Sequence, residues 1–247
     1  MAPTITLYTD HHCPFAHRVQ VALRELGLKF ETCLVDITVP RTPEYLAINP
    51  NGMVPALVYG DLVLTESGLI CQFLADSYPS HLLKASTEAA GALQRFKIGY
   101  FVDTYFGKAH PLFDSTVFSN EPDAKMALAT QYIEAIVRHV EPLLGDAAPF
   151  LGGSNRPTLA EVLTAPFLLR VLMLPKHDGL VPSFVPETLK RRAPNSHRWA
   201  QAATAEKSVT AIWDEDLVVK RTLERIEKRK AATYSGGNEV DKGPSQS

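Results

Sequence analysis

The chain has 247 residues, 45% hydrophobic and 21% charged, which suffices for one large or two small packed domains and excludes wholesale disorder. Lys and Arg total 25 against 27 Asp and Glu, a net charge of −2 with no long basic run before residue 220, which argues against nucleic acid as the principal ligand. Three cysteines are too few for a disulfide framework, Met1-Ala2-Pro3 opens no secretory leader, and no apolar run approaches membrane-spanning length; a cytoplasmic protein without a membrane partner is expected.

Thr4-Ile5-Thr6-Leu7-Tyr8 alternates as a strand does, and Phe15, Val19, Ala22, Leu23 and Leu26 recur at helical spacing until Gly27 stops the helix. Phe30 to Val35 reads as a second strand, so the first 35 residues form a β-α-β unit with parallel strands. Beyond a Pro-marked loop, 56–59 and 62–64 flank Gly60-Asp61, a two-residue turn that predicts an antiparallel hairpin. Thr65-Glu66-Ser67 then opens a helix that closes near Tyr78-Pro79. The order predicts a small α/β domain over 1–80, a mixed sheet with helices packed on it.

From about residue 88 only helical periodicity remains, in Leu93, Phe96 and Tyr100 and later in Tyr132, Ile133, Ile136, Val137 and Val140. An all-α domain is expected over 88–230, with composition breaks at 110–123 and 145–157. Near its end Lys220, Arg221, Arg225 and 228–230 alternate with Glu224 and Glu227 at helical spacing, which reads as a solvated helix face. Residues 235–247 read as a disordered tail.

Three stretches carry chemistry. In His11-His12-Cys13-Pro14-Phe15-Ala16-His17-Arg18 a strand gives way to a helix, and a proline at the first helical position puts the Cys13 sulfur at the cap. Free amides, the positive end of the helix dipole, and His17 and Arg18 would favour a thiolate, so a depressed pKa is expected. The alternative is a small buried cysteine at a strand end. Metal ligation by His11, His12, Cys13 and His17 is not expected, because the first three are sequential and no second cluster supports them. In Asn49-Pro50-Asn51-Gly52-Met53-Val54-Pro55-Ala56 a proline at the mouth of a strand points to a cis Val54-Pro55 bond, which would present the Val54 backbone to an extended peptide-like ligand; an ordinary trans loop is the alternative. Glu66-Ser67 at a helix start suits an amino acid's two charged ends, or simply caps the helix.

Together these three stretches resemble the thioredoxin-like domain of the glutathione transferases, and the resemblance extends to about residue 230. It implies a thioredoxin-like α/β domain followed by an all-α domain, with glutathione as co-substrate and no metal. By position it implies that Glu66 and Ser67 hold the γ-glutamyl end, that Val54, ahead of Pro55, pairs with the cysteinyl backbone, that Arg41 meets the glycine carboxylate, and that Phe15 borders the site. Leu151-Gly152-Gly153 followed by Thr158-Leu159-Ala160-Glu161 is similar to the family's capping box, with Glu161 where Asp is usual; a folding role is expected for Thr158 and Glu161.

Cys-Pro-Phe-Ala-x-Arg resembles the cysteine-type, omega-like members, in which the thiol forms a mixed disulfide with glutathione. Thiol transfer, deglutathionylation or reduction of a small electrophile is implied, by one protein thiol, since Ala16 stands where a second cysteine would be. The stretch 49–57 and Arg-Val-x-Val-Ala-Leu also resemble the zeta class, which isomerises or conjugates, although His12 replaces its serine. A non-catalytic glutathione-fold binding protein is the remaining alternative. A small hydrophobic or disulfide-containing electrophile is expected between the domains, with Tyr105 and Trp213 as its aromatic walls, Tyr8 in the core, and a homodimer as the assembly the resemblance implies.

Overall fold

The computed structural model describes residues 3–236, with side chains to residue 231. Alternation turns Ile5, Leu7 and Thr9 of β1 (Ile5–Thr9) inward. Helix α1 (Pro14–Glu25) follows and stops at Gly27, whose φ of 63° lets the amides of Leu26, Gly27 and Leu28 return to α1 carbonyls. β2 (Glu31–Leu34) lies parallel to β1, as a helical crossover requires. One element had no counterpart among the expectations: α2 (Pro43–Ile48), with Pro43 at its first position and Thr42 as cap, accepting from the Tyr45 amide at 3.3 Å. Six residues carry too little periodicity to distinguish a helix from a loop.

β3 (Ala56–Tyr59) and β4 (Leu62–Leu64) form the expected hairpin around Gly60, φ 59°, and β3 runs antiparallel to β1, giving the order β2-β1-β3-β4. α3 (Ser67–Ser77) packs beside α1. This is the four-stranded thioredoxin-like sheet, and it faces an all-helical second half.

There, α4 (Gly91–Thr104) passes through a wide π turn, Tyr105–Ala109, into α5 (His110–Phe118). The break expected over 110–123 therefore shrinks to residues 119–121. Pro111 lies in the first turn of α5, where its missing N–H is tolerated. α6 (Pro122–Ala135) runs on through a second π turn, Ile136–Val140, and a 3₁₀ turn, Glu141–Leu144. The stretch 145–157 is irregular, as expected, apart from a short 3₁₀ turn at Leu151–Gly153. α7 (Leu159–Met173) is the buried axis, packed on α1, α3, α4 and α9 (Pro194–Ala205), with α8 (Val185–Arg192), α10 (Lys207–Thr210) and α11 (Glu215–Gly236) around it.

The capping box forms as the sequence predicts. Glu161 Oε2 accepts from the Thr158 amide and hydroxyl, each at 2.7 Å, while Oε1 accepts from the Leu151 amide at 2.9 Å and Trp199 Nε1 at 2.6 Å. Two other expectations change. Leu93, Phe96 and Tyr100 do share a face of α4, but that face is exposed, while Ile98 and Phe101 turn inward. Ser235 and Gly236 still belong to α11, and 237–247 lie outside the described residues. Among the described residues no helix is long and apolar enough to cross a membrane.

Candidate active site

Cys13 caps α1 as the Cys-Pro order predicts, ahead of Pro14, with φ −78° and ψ 113°. Its Sγ donates to the Val54 carbonyl at 3.9 Å, across from the cis Val54-Pro55 bond that the sequence singled out. The loop presenting Val54 is braced through Met53, whose carbonyl accepts from Asn49 Nδ2 at 2.7 Å and the Tyr45 hydroxyl at 2.5 Å. Gly52 is needed there, since its φ is 64° and a Cβ would lie 3.1 Å from the Arg41 side chain.

The thiol is not acidified as expected. Burial pushes the Cys13 pKa up, and this outweighs the Ala16 and Phe15 amides and the charge of Arg170, which all favour the thiolate; Asp10 opposes it further. The cations expected to help are otherwise engaged. His17 is buried, its Nε2 donates to the Val209 carbonyl at 2.8 Å, and burial first, then Arg170, pulls its pKa down to about 3, so it is neutral. Arg18 donates to the Leu163 carbonyl at 2.8 Å and Ser67 Oγ at 3.2 Å, with its guanidinium over the rings of Phe15, Phe106 and Phe167 at 5.1, 4.4 and 4.8 Å. Arg18 still couples electrostatically to Cys13, as expected, and a second charge comes from Arg170 of α7, whose Nη2 donates to the His12 carbonyl at 2.5 Å. No local signal announces Arg170, because it arrives from 157 residues away through the packing of α7 on α1.

Cys13 borders a cleft of about 500 Å³ between the two halves. Phe15, Arg41 and Val54 line it with Cys13, as expected. Arg41 also braces this loop, donating to the backbone carbonyls of Asp36, Ile37, Val39 and Gly52. Pro55, Glu66 and Ser67 lie outside the lining; Pro55 is buried beneath Val54, and Ser67 Oγ faces Arg18. Glu66 is exposed and holds φ 65°, a conformation that costs a non-glycine residue energy and recurs at ligand clamps.

The aromatic walls differ from those expected. Tyr105 is fully buried in the helical core, where burial above all pushes its hydroxyl pKa up beyond any catalytic range, and it does not reach the cleft. Trp213 stands behind the wall, with Arg170 over its ring at 5.4 Å. The walls are Phe113 and Phe118 of α5 and Phe167 of α7, residues whose helical spacing equally suits a core. Tyr8 is half-buried against Tyr45, in keeping with a core role. His12 pairs with Asp10, and among the described residues no cluster of His, Cys, Asp and Glu is brought together that would hold a metal ion.

A model of the glutathione S-transferase N-terminal domain matches residues 12–77. Mouse glutathione S-transferase omega-1 is 30% identical over 174 residues, which cover 68% of this chain and 67% of that one. The chain belongs to the glutathione S-transferase family. Its fold agrees, since glutathione transferase Omega 2C from Trametes versicolor superposes with a TM-score of 0.76 at 27% identity, over 91% of this transferase and 99% of that chain. The zeta-class glutathione S-transferase of Euphorbia esula is 40% identical over 81 residues, 32% of this chain and 36% of the relative. The maleylacetoacetate isomerase of Pseudomonas aeruginosa is 29% identical over 174 residues, 66% of this chain and 79% of that one, so the transferase is similar over a comparable length of sequence to an omega-class and to an isomerising relative, with omega-class structures matching across both domains.

Proposed function

We propose that this transferase uses Cys13 as the nucleophile in glutathione-dependent thiol transfer. The observation that carries the reading is the position of its sulfur: at the cap of α1, bordering the cleft, and facing the Val54 backbone where a peptide-like ligand would pair. The thiolate attacks the sulfur of a glutathione mixed disulfide, the S–S bond breaks, and the substrate leaves as its own thiolate while glutathione stays on Cys13. A second glutathione thiolate then attacks that mixed disulfide, releasing glutathione disulfide and restoring Cys13. The raised pKa lowers the thiolate population but makes each thiolate more nucleophilic, so a ten-fold smaller population slows attack by only about three- to four-fold. Glu66 and Ser67 serve the γ-glutamyl end, supported by the left-handed φ of Glu66.

The test is direct. Incubated with glutathione disulfide and weighed intact, the wild type gains one glutathione and Cys13→Ser gains none at that site. No adduct, or an equal adduct after the substitution, would sink the reading. The zeta likeness favours isomerisation or conjugation as the second reading, and that reading requires turnover of a maleyl substrate or an aromatic halide to survive Cys13→Ser. A homodimer also belongs to this proposal: Leu93, Phe96 and Tyr100 on α4 and Leu69 on neighbouring α3 are each more than half exposed, and a second copy laid on them would cover an apolar face.

A further inference from the structure

The charge of the cleft bears on its substrate. Five of its lining residues are Arg or Lys, namely Arg41, Arg170, Arg221, Arg225 and Lys228, against two acids, Asp114 and Glu224. One of these charges is neutralised, since Arg221 pairs with Glu224 at 3.0 Å, and Arg41 has most of its donors engaged by four carbonyls of its own loop. Arg170 and Arg225 are different. Arg170 donates only to the Pro166 and His12 carbonyls, and neither arginine has a carboxylate partner among the described residues. Both line the same cleft, where the charge of Arg225 adds to burial in pulling the Arg170 pKa down to about 10. His110, on the facing wall, is held neutral by burial, which pulls its pKa down to about 4, and adds no charge. The basic run near the C-terminus is therefore not simply a solvated face: one side of α11 is the cationic wall of the cleft.

Two cations without a carboxylate partner, in a cleft also lined by Phe113, Phe118 and Phe167, make a site for an anion attached to a ring. We infer that the cleft selects electrophiles with an aromatic body and a carboxylate, the carboxylate held between Arg170 and Arg225 and the ring against these phenylalanines. Because Arg170 donates to the carbonyl of the residue just before Cys13, a carboxylate there fixes the electrophile beside the sulfur. This selectivity deepens the thiol-transfer reading and rests on it for its catalytic meaning, but the binding it requires is measured without turnover.

Titration calorimetry with saturating glutathione compares biphenyl-4-carboxylate with its uncharged twin, biphenyl-4-carboxamide. The acid is expected to bind about ten-fold more tightly or better, the ordinary gain of a charge-assisted contact over a neutral one. Arg225→Gln, and separately Arg170→Gln, bring the two ligands to within about three-fold of each other, on the same scale. Cys13→Ser leaves the preference intact, so failure of the thiol chemistry and failure of this inference are read apart. Equal binding of acid and amide by the wild type, or a preference unchanged in both arginine variants, overturns it. So does a ten-fold loss of glutathione affinity in Arg225→Gln without any acid preference in the wild type, which would make the arginines a glutathione subsite.

Discussion

Glu161→Gln is the sharpest test of how the helical half holds the cleft, because the wild-type carboxylate meets donors alone. Its oxygens accept from the Leu151 amide, Trp199 Nε1, and the Thr158 amide and hydroxyl. A glutamine keeps the volume but presents one NH₂. Turned toward Leu151 and Trp199, that group faces two donors, neither of which can reverse; turned toward Thr158, it faces one amide and a hydroxyl that can rotate to accept. The second placement is cheaper. It leaves the Thr158 N–H without an acceptor, at about 1–3 kcal/mol, and removes charge from the surviving bonds at about 1 kcal/mol each, offset in part by the easier burial of a neutral amide. A net loss of about 3–5 kcal/mol is expected, read as a shift in the urea midpoint followed by the fluorescence of Trp199 and Trp213, with the slope unchanged. Glu161→Asp, the residue usual in the family, retains the Thr158 contacts and loses reach to Trp199, so its loss is smaller, about 1–2 kcal/mol. α7 also carries Phe167 and Arg170, but both variants lose stability and not the folded geometry, so transferase activity per folded molecule stays near wild type. A loss below about 1 kcal/mol for Glu161→Gln would refute the four-donor account.

Further outcomes follow from the site. Burial favours the neutral Cys13 thiol, so its alkylation by iodoacetamide should still be accelerating as the solution passes pH 9.0, its ordinary value, and Arg170→Met should move the rise further to the alkaline side; a plateau reached below neutrality would contradict both. Arg18→Met strips the Leu163 carbonyl and Ser67 of their donor, and a fall in melting temperature of about 5–10 °C together with a raised glutathione KM is expected, whereas a change in neither would show that the bridge is idle. Phe96→Glu puts a charge into the exposed α4 face, and sedimentation should then report a monomer at concentrations where the wild type is dimeric. A monomeric wild type would refute the assembly.

The α/β half was legible in the sequence wherever the signal was local. Gly27 and Gly60 mark turns that demand positive φ, Cys13-Pro14 marks a cap, and Thr158 to Glu161 spells its own box. The failures share one cause, which is that they depend on what lies across the fold. Tyr105 has the same helical spacing whether it faces a cleft or a core, and packing chose the core. The expected thiolate counted the helix dipole and Arg18 but not the burial that opposes them, and a further charge on Cys13 comes from Arg170, far along the chain. Likewise Lys220 to Lys230 alternates in sign as a solvated helix does, and only the placement of α11 shows that Arg225 and Lys228 border the cleft.

The π turn at Tyr105–Ala109 fits one residue more into its circuit than an ordinary turn, and Phe106 on it touches Phe167 while His110 follows directly. Excising a single residue such as Gly107 would close the wide turn to an ordinary one and leave His110, Phe113 and Asp114 on nearly their present faces, because the extra residue is absorbed within the turn. What would change is the turn itself, and with it the contact of Phe106 with Phe167. The wide turn thus stores an insertion without re-aiming the helix beyond it, and a lineage can gain or lose that codon while the far wall keeps its direction.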